Sequence, residues 1–454
     1  MEAVLPVDAP ILKKNDAMLS GMAHKAPIMP VTINDLLFMF PSRLSFRPLI
    51  QKLQKVVAQP QVHQNILLAE EVLTRLQAVP ALMEVIDDLS LLDEHASLIS
   101  ILMSTVFPVA SSDAELRAAV VPFHMKPFFA TPGFAELITL SEDEHPQILN
   151  YSEGEMCYFK MVMAYHLILN HVYGLNSEPQ FPPVFTLPDP RDGLNRHYQL
   201  NLNHGFTEIK TLREPATYSP EKLEYFRKNM HNLELMRKYF PPENFEFQGF
   251  TLINLIDITE QKVLSSLKDE LLERDALISD RYFKNIQDRM RDLLRLPALR
   301  LGLAAFNSNQ NPWQSKAPAI WNSFVFQKGQ VETSVMYQGC IYDQTLQRRQ
   351  PYVVEDLENY DKKTQVEEAL RSQGVKSLLV APLIYNDELV GILELGSSKT
   401  GDLDAYSLSK LMQVLPLFSL AVKRSIENVI NEVERIKQKE LRPFILLWPG
   451  NSMR

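Results

Sequence analysis

Residues 374–398 read GVKSLLVAPLIYNDELVGILELGSS, two apolar, β-branched runs around a short polar break. The first run is Leu378-Leu379-Val380-Ala381-Pro382-Leu383-Ile384-Tyr385, and the second is Leu389-Val390-Gly391-Ile392-Leu393-Glu394-Leu395. The break, Asn386-Asp387-Glu388, holds two residues that tolerate left-handed backbone, which predicts a hairpin with a three-residue loop. Nearly every position in both runs is apolar, so neither face of the hairpin suits water. The stretch therefore predicts the central pair of a sheet with helices packed on it. Pro382 has no N–H for a ladder, so its amide belongs at a bulge or a non-bonded site.

Working outward, a helical segment over 286–294 leads into a strand over 299–306. Strands follow over 320–326, 331–337 and 351–356, with the loop DQTLQRRQ after Cys340-Ile341-Tyr342. A helix over 364–372 precedes the hairpin, and a last long helix begins at Asp404. In this order, the run QRRQPYVVED (347–356) and the hairpin resemble the GAF family, with Ser377, Pro382, Gly391 and Leu395 at its characteristic positions. The resemblance covers residues 285–425. It implies a GAF-like antiparallel sheet flanked by helices, a small-molecule pocket between the sheet and its covering loops, and a role in sensing. The pocket residues it implies are Phe324, Phe326, Tyr337, Tyr342, Tyr352, Leu379 and Pro382. Strand alternation lets only about half of such residues face one side, and plain core is the simpler reading of each.

The last helix carries Val422, Ile426, Val429, Val433 and Ile436 at 4-3-4-3 spacing, with Leu411, Leu415 and Phe418 continuing the stripe backwards through a stutter. This heptad segment, 426–441, predicts a homodimer through the C-terminal helix; the alternative is a helix folded back on its own domain. Pro416 predicts a kink or break. The tail 442–454 drops the heptad. Either it docks back through Phe444, Leu447 and Trp448, or an output region and its signalling partner lie elsewhere.

Much chemistry finds no residues in this region. All 10 histidines fall at or before His231, and Cys340 is the only cysteine of the GAF-like part. An axial haem histidine, a His/Cys zinc site and a multi-cysteine sulfoxide reductase all lack their groups, and a bilin would have Cys340 alone. No phosphate-binding glycine loop or GxSxG elbow occurs, so no cofactor, metal or catalytic residue is assigned.

Upstream, residues 1–30 lack periodicity and read as a loose leader. Apolar residues at helical spacing then predict a helical domain over 31–145. Residues 146–258 read as a small α+β unit: a helix carrying His166 and His171, a strand over 197–203, a helix capped by Ser219 and a strand over 245–258. Asp257-Ile258-Thr259 resembles, over about fifteen residues, the exit of PAS sensory domains into a signalling helix, here predicted over 259–295. His197, His204, Arg191 and Asp192 form a polar group whose spacing fits no known chemistry. The fold class is thus α+β and multidomain.

Composition agrees with a folded protein: 454 residues, 46% hydrophobic, 22% charged and net charge -9. That balance does not favour nucleic acid. Two distant cysteines fit a reducing compartment, no stretch reads as a membrane span and the first residues do not read as a signal peptide, so a cytoplasmic protein is expected. The functional expectation is non-catalytic sensing of an unknown small molecule. A ligand-free dimerisation scaffold and an unrecognised enzyme in 31–258 are the alternatives.

Overall fold

The structure is a computed structural model that describes residues 38–59, 66–108, 115–139, 152–175, 183–189, 191–273, 277, 280–306, 319–321, 323–326, 337–361 and 364–445. The expected leader, and most of the tail with its Leu447 and Trp448, lie outside the described residues, as do residues 331–336 of the expected strand over 331–337.

The first part contains β1 (Ser42–Ser45), α1 (Arg47–Ala58), α2 (Ile66–Gln77), β2 (Val85–Ile86), α3 (Ser90–Glu94), α4 (Ala96–Ser104), β3 (Leu116–Val120), β4 (Pro127–Ala130), α5 (Pro132–Thr139) and α6 (Glu153–His171). It continues with β5 (Val184–Pro188), β6 (Asn195–Thr211), α7 (Pro220–Lys228), α8 (Leu233–Tyr239) and β7 (Phe245–Asp257). All seven strands form one sheet, ordered β2-β1-β7-β3-β4, with β6 also on β7 and β5 on β6. The sequence reading separated a helical domain over 31–145 from a unit over 146–258. The shared sheet joins them, because β1, β2, β3 and β4 are only two to five residues long, too short to show a period of two. Gly249 explains the register shift between β6 and β7: a Cβ there would lie 2.1 Å from the Phe206 carbonyl oxygen.

The second part contains α9 (Thr259–Leu272), α10 (Asp280–Leu294), β8 (Arg300–Ala305), β9 (Ala319–Trp321), α11 (Ile341–Arg348), β10 (Tyr352–Val354), α12 (Gln365–Ser372), β11 (Ser377–Tyr385), β12 (Glu388–Ser397) and α13 (Ala405–Ile445). Its five strands run β10-β11-β12-β8-β9, all antiparallel, with the opening hairpin at the centre. The loop is shorter than expected: Asn386 (φ 48) and Asp387 (φ 63) make a two-residue turn of the primed type, and Glu388 already pairs with Tyr385. Pro382 sits beyond the end of β10's pairing and next to a register shift at Leu383/Ile384, as its missing N–H demands. Gly391 permits the close approach of β12 to β8, since a Cβ would stand 2.5 Å from the Ala304 carbonyl oxygen.

One face of this sheet presents Leu379, Ala381, Leu383, Leu393 and Leu395 to helices. α9 contributes Val263, Leu267 and Leu271, α10 contributes Phe283, Ile286 and Met290, and α13 contributes Leu411, Val414, Phe418, Val422 and Ile426. The apolar repeat over 259–295 therefore belongs to two helices in one core, and not to a single connecting helix. Arg289 of α10 reaches back to Glu270 of α9 at 3.2 Å. The DQTLQRRQ segment is helical, because Cys340 caps α11: its Sγ accepts from the Asp343 N–H at 3.4 Å. Pro416 does not end α13, which runs unbroken across it. The start of the heptad stripe folds onto its own domain, with Val422 and Ile426 buried, whereas Val429, Ile430 and Ile436 are exposed. Residues 405–436 of α13 are long and apolar enough to cross a membrane, contrary to the sequence expectation, although one side of the helix serves this core.

Candidate functional site

The other face of the five-stranded sheet carries Leu378 and Val380 from β11, Ile392 from β12, and Ala304 with Phe306 at the end of β8. The pairing of Pro382 with Ile392 puts Pro382 on this side as well. Above them lie Phe324, Phe326 and Tyr337, the first turn of α11 (Cys340, Ile341, Tyr342), Val354, and Val366 with Leu370 of α12. The rings interlock. Phe326 stacks on Tyr337 at 6.0 Å between centroids, and meets Phe306 and Tyr342 edge-on at 5.4 and 6.2 Å.

A carboxyl group stands in this apolar chamber. Glu394 of β12 lies across from Val380 and is fully buried. Its Oε1 accepts from Ser323 Oγ at 2.9 Å, and its Oε2 accepts from the Phe324 backbone N–H at 2.7 Å. Burial pushes its pKa up to about 7, against hydrogen bonds from Phe324, Ser323 and Tyr342, which favour the charged form. Phe324 is held from two further directions: its carbonyl accepts from Gln373 Nε2 at 2.9 Å, and the Arg300 guanidinium lies 4.8 Å from its ring centre. The segment over the sheet is thus fastened by the one acidic side chain beneath it.

Tyr342 supplies the second anomaly. Its side chain is fully buried, and among the described residues the neighbour its hydroxyl turns to is the Glu394 carboxylate. Burial first, then the Glu394 charge and its hydrogen bond, raise the phenol well above its ordinary value. Cys340, beside it, is no nucleophile: burial pushes the thiol up to about 11 and its sulfur is occupied as a cap. The buried Glu367 is likewise structural. It closes a capping box with Thr364 and accepts from the Ile341 N–H at 2.9 Å, tying α12 to α11.

Of the seven residues expected at the pocket, the structure brings six to this face. Phe324, Phe326, Tyr337 and Tyr342 are buried in it, Pro382 lies on its floor, and Tyr352 is at its margin with its hydroxyl 3.3 Å from that of Tyr360. Leu379 is on the opposite face, among the helices, because alternation along β11 turns it away from Leu378 and Val380. Glu394 and Ser323 were not anticipated. The signal for Glu394 was present, as the one acidic residue inside the second apolar run.

The upstream polar group does not form one site. Arg191 binds Asp189 and Asp192 binds Arg295. His197 lies on Thr186 Oγ1 at 2.8 Å, and His204 is elsewhere on β6, 3.1 Å from Thr251 Oγ1. Among the described residues, no group of three or more His, Cys, Asp or Glu side chains is placed to hold a metal ion.

The family model for the GAF domain matches residues 280–422. Solved structures are similar to about a third of the chain. One is the GAF domain of a two-component sensor histidine kinase from Bacillus halodurans, at 18% identity, covering 32% of this chain and 96% of that one, with a TM-score of 0.25. Another is the phycocyanobilin-bound GAF domain of a cyanobacterial phytochrome, at 17% identity, covering 38% and 98%, with a TM-score of 0.29. A third is the free methionine-R-sulfoxide reductase from Neisseria meningitidis in complex with its substrate, at 16% identity, covering 37% and 91%, with a TM-score of 0.27. No curated protein matches the chain. Residues 280–422 of this α+β chain are a GAF domain, a module that is generally sensory or regulatory and binds small molecules.

Proposed function

We propose that this chain is a non-catalytic, cytoplasmic sensor whose GAF domain takes a small molecule between β11–β12 and the cover formed by Phe324, Phe326, Tyr337 and Tyr342. The observation that carries this reading is a polar pair in an otherwise apolar chamber: the Glu394 carboxyl and the Tyr342 hydroxyl beside it. A ligand that bonds to this pair meets polar groups where its surroundings are apolar, so its binding is favoured by more than contact area. A ligand that displaces Phe324 also loosens the hold of Glu394, Gln373 and Arg300 on that segment. The signal then travels through the helices on the far face of the sheet, α9, α10 and α13. The exposed Val429, Ile430 and Ile436 of α13 are suited to a second copy of the chain.

A second reading, a ligand-free dimerisation scaffold, draws on the filling of the chamber by the protein's own rings. A thermal-shift screen of nucleotides and small metabolites, with native mass spectrometry of the purified full chain, separates the two. A single-site ligand raises stability by RT ln(1 + [L]/Kd), about 2.7 kcal/mol at a hundredfold excess over Kd. If no compound shifts unfolding and no molecule copurifies, the scaffold reading replaces the sensor.

A further inference from the structure

A second cleft lies where the GAF domain meets the upstream sheet. The turn between β5 and β6 forms one wall, with Gly193 and Asn195. α10 forms the other, with Asn285, Asp288, Arg289 and Asp292. The cleft is about 370 Å³, at the small end of the roughly 300–1,000 Å³ found for small-molecule sites. Its walls are held together next to it. Arg295 donates from Nε and Nη2 to both carboxylate oxygens of Asp192, at 2.9 and 2.6 Å, and from Nη1 to the Asn195 carbonyl at 2.8 Å.

Asp292 is the group that makes this more than a gap. The residue is 7% exposed, and its carboxylate accepts no hydrogen bond among the described residues. Its one ion pair is loose: Arg289 Nη1, one turn away on the same helix, stands at 3.8 Å. Arg289 spends its Nε on Glu270, and among the described residues its terminal nitrogens make no hydrogen bond. Burial raises its pKa, and the Arg289 and Arg295 charges oppose that rise. Cleft and carboxylate are independent observations that meet at one place.

The chemistry selects the ligand. A simple amine would answer Asp292 and leave the terminal nitrogens of Arg289 with only their loose pair, and a simple anion would do the reverse. A small zwitterion answers both, its ammonium on Asp292 and its carboxylate on Arg289. Polar neighbours on both walls leave room for only a modest apolar part. We propose that this cleft is a binding site for a free amino acid, seated between the GAF domain and the upstream sheet. Because the ligand touches both walls, it reinforces their docking and gives the protein an input separate from the chamber over the GAF sheet.

The test uses the full chain and the proteinogenic L-amino acids, each at about 10 mM, in a thermal-shift screen followed by titration calorimetry. At least one amino acid is expected to raise the unfolding temperature. Its affinity should fall tenfold or more in Asp292→Asn and in Arg289→Gln, and should be unchanged in Glu394→Gln. Its N-acetylated form, which lacks the ammonium, should give no shift. The proposal is overturned if no amino acid shifts unfolding, or if both cleft variants bind as the wild type does. It is equally overturned if binding is lost only in Glu394→Gln, which assigns the amino acid to the GAF chamber.

Discussion

Replacing Glu394 by Gln gives a quantitative test of the chamber. In the folded chain the carboxyl has a pKa of about 7, against 4.5 for the ordinary side chain. Between those values the native state keeps a proton that the unfolded chain has released. Stability from this group is therefore complete below about pH 4.5, declines as pH rises, and is fully lost above about pH 7. At about 1.4 kcal/mol per pH unit, the loss amounts to about 3 kcal/mol. Gln keeps the two contacts, its carbonyl oxygen accepting from the Phe324 N–H and its amide donating to Ser323 Oγ, and it carries no charge to bury. Urea unfolding of both proteins from about pH 5 to 8 reads the effect as a difference. The difference is essential because His204, held neutral with its pKa lowered to about 4, contributes an opposite slope over much of the same range. Relative to wild type, the Gln variant should gain about 3 kcal/mol across the series. Parallel curves would show that Glu394 titrates as an ordinary carboxylate and would refute its burial.

Other perturbations probe the supporting structure. Gly391→Ala drives a methyl against the Ala304 carbonyl, which backbone alone would have to relieve, and should cost about 1–3 kcal/mol in chemical unfolding. Arg295→Ala and Asp192→Ala, measured singly and together, should show a coupling energy of about 1–3 kcal/mol, and the Arg295 variant should separate the unfolding of the GAF domain from that of the upstream sheet. Val429→Glu with Ile436→Glu should halve the mass in solution while leaving the unfolding temperature of the GAF domain nearly unchanged, since both residues are exposed. Val422→Glu, by contrast, places a charge in the core and should destabilise the domain by several kcal/mol.

The hairpin was legible because its two runs are long and apolar on both faces, and burial on both faces is what the sheet shows. The same alternation that built the strands also misplaced Leu379: sequence gives the period of a strand and does not say which phase faces the cover. Short strands such as β2 carry no period, so the upstream sheet read as helices and connectors. α11 reads as a loop in sequence because a cysteine is an unusual helix cap, and its Sγ contact appears only in three dimensions. The Arg295–Asp192 contact joins residues far apart in sequence, and no local pattern announces it. Glu394 was visible as an exception in an apolar run. What the sequence lacks is the knowledge that Ser323 and Phe324 arrive above it.

Ligand binding in the chamber turns on the Tyr342–Glu394 pair, and Tyr342→Phe tests it most directly. Calorimetric unfolding of the full chain, with and without the compound that shifts wild type most, yields both quantities at once. The variant is expected to stay folded when empty and to lose most of the ligand-induced shift. A folded variant that responds to the compound as wild type does would contradict this.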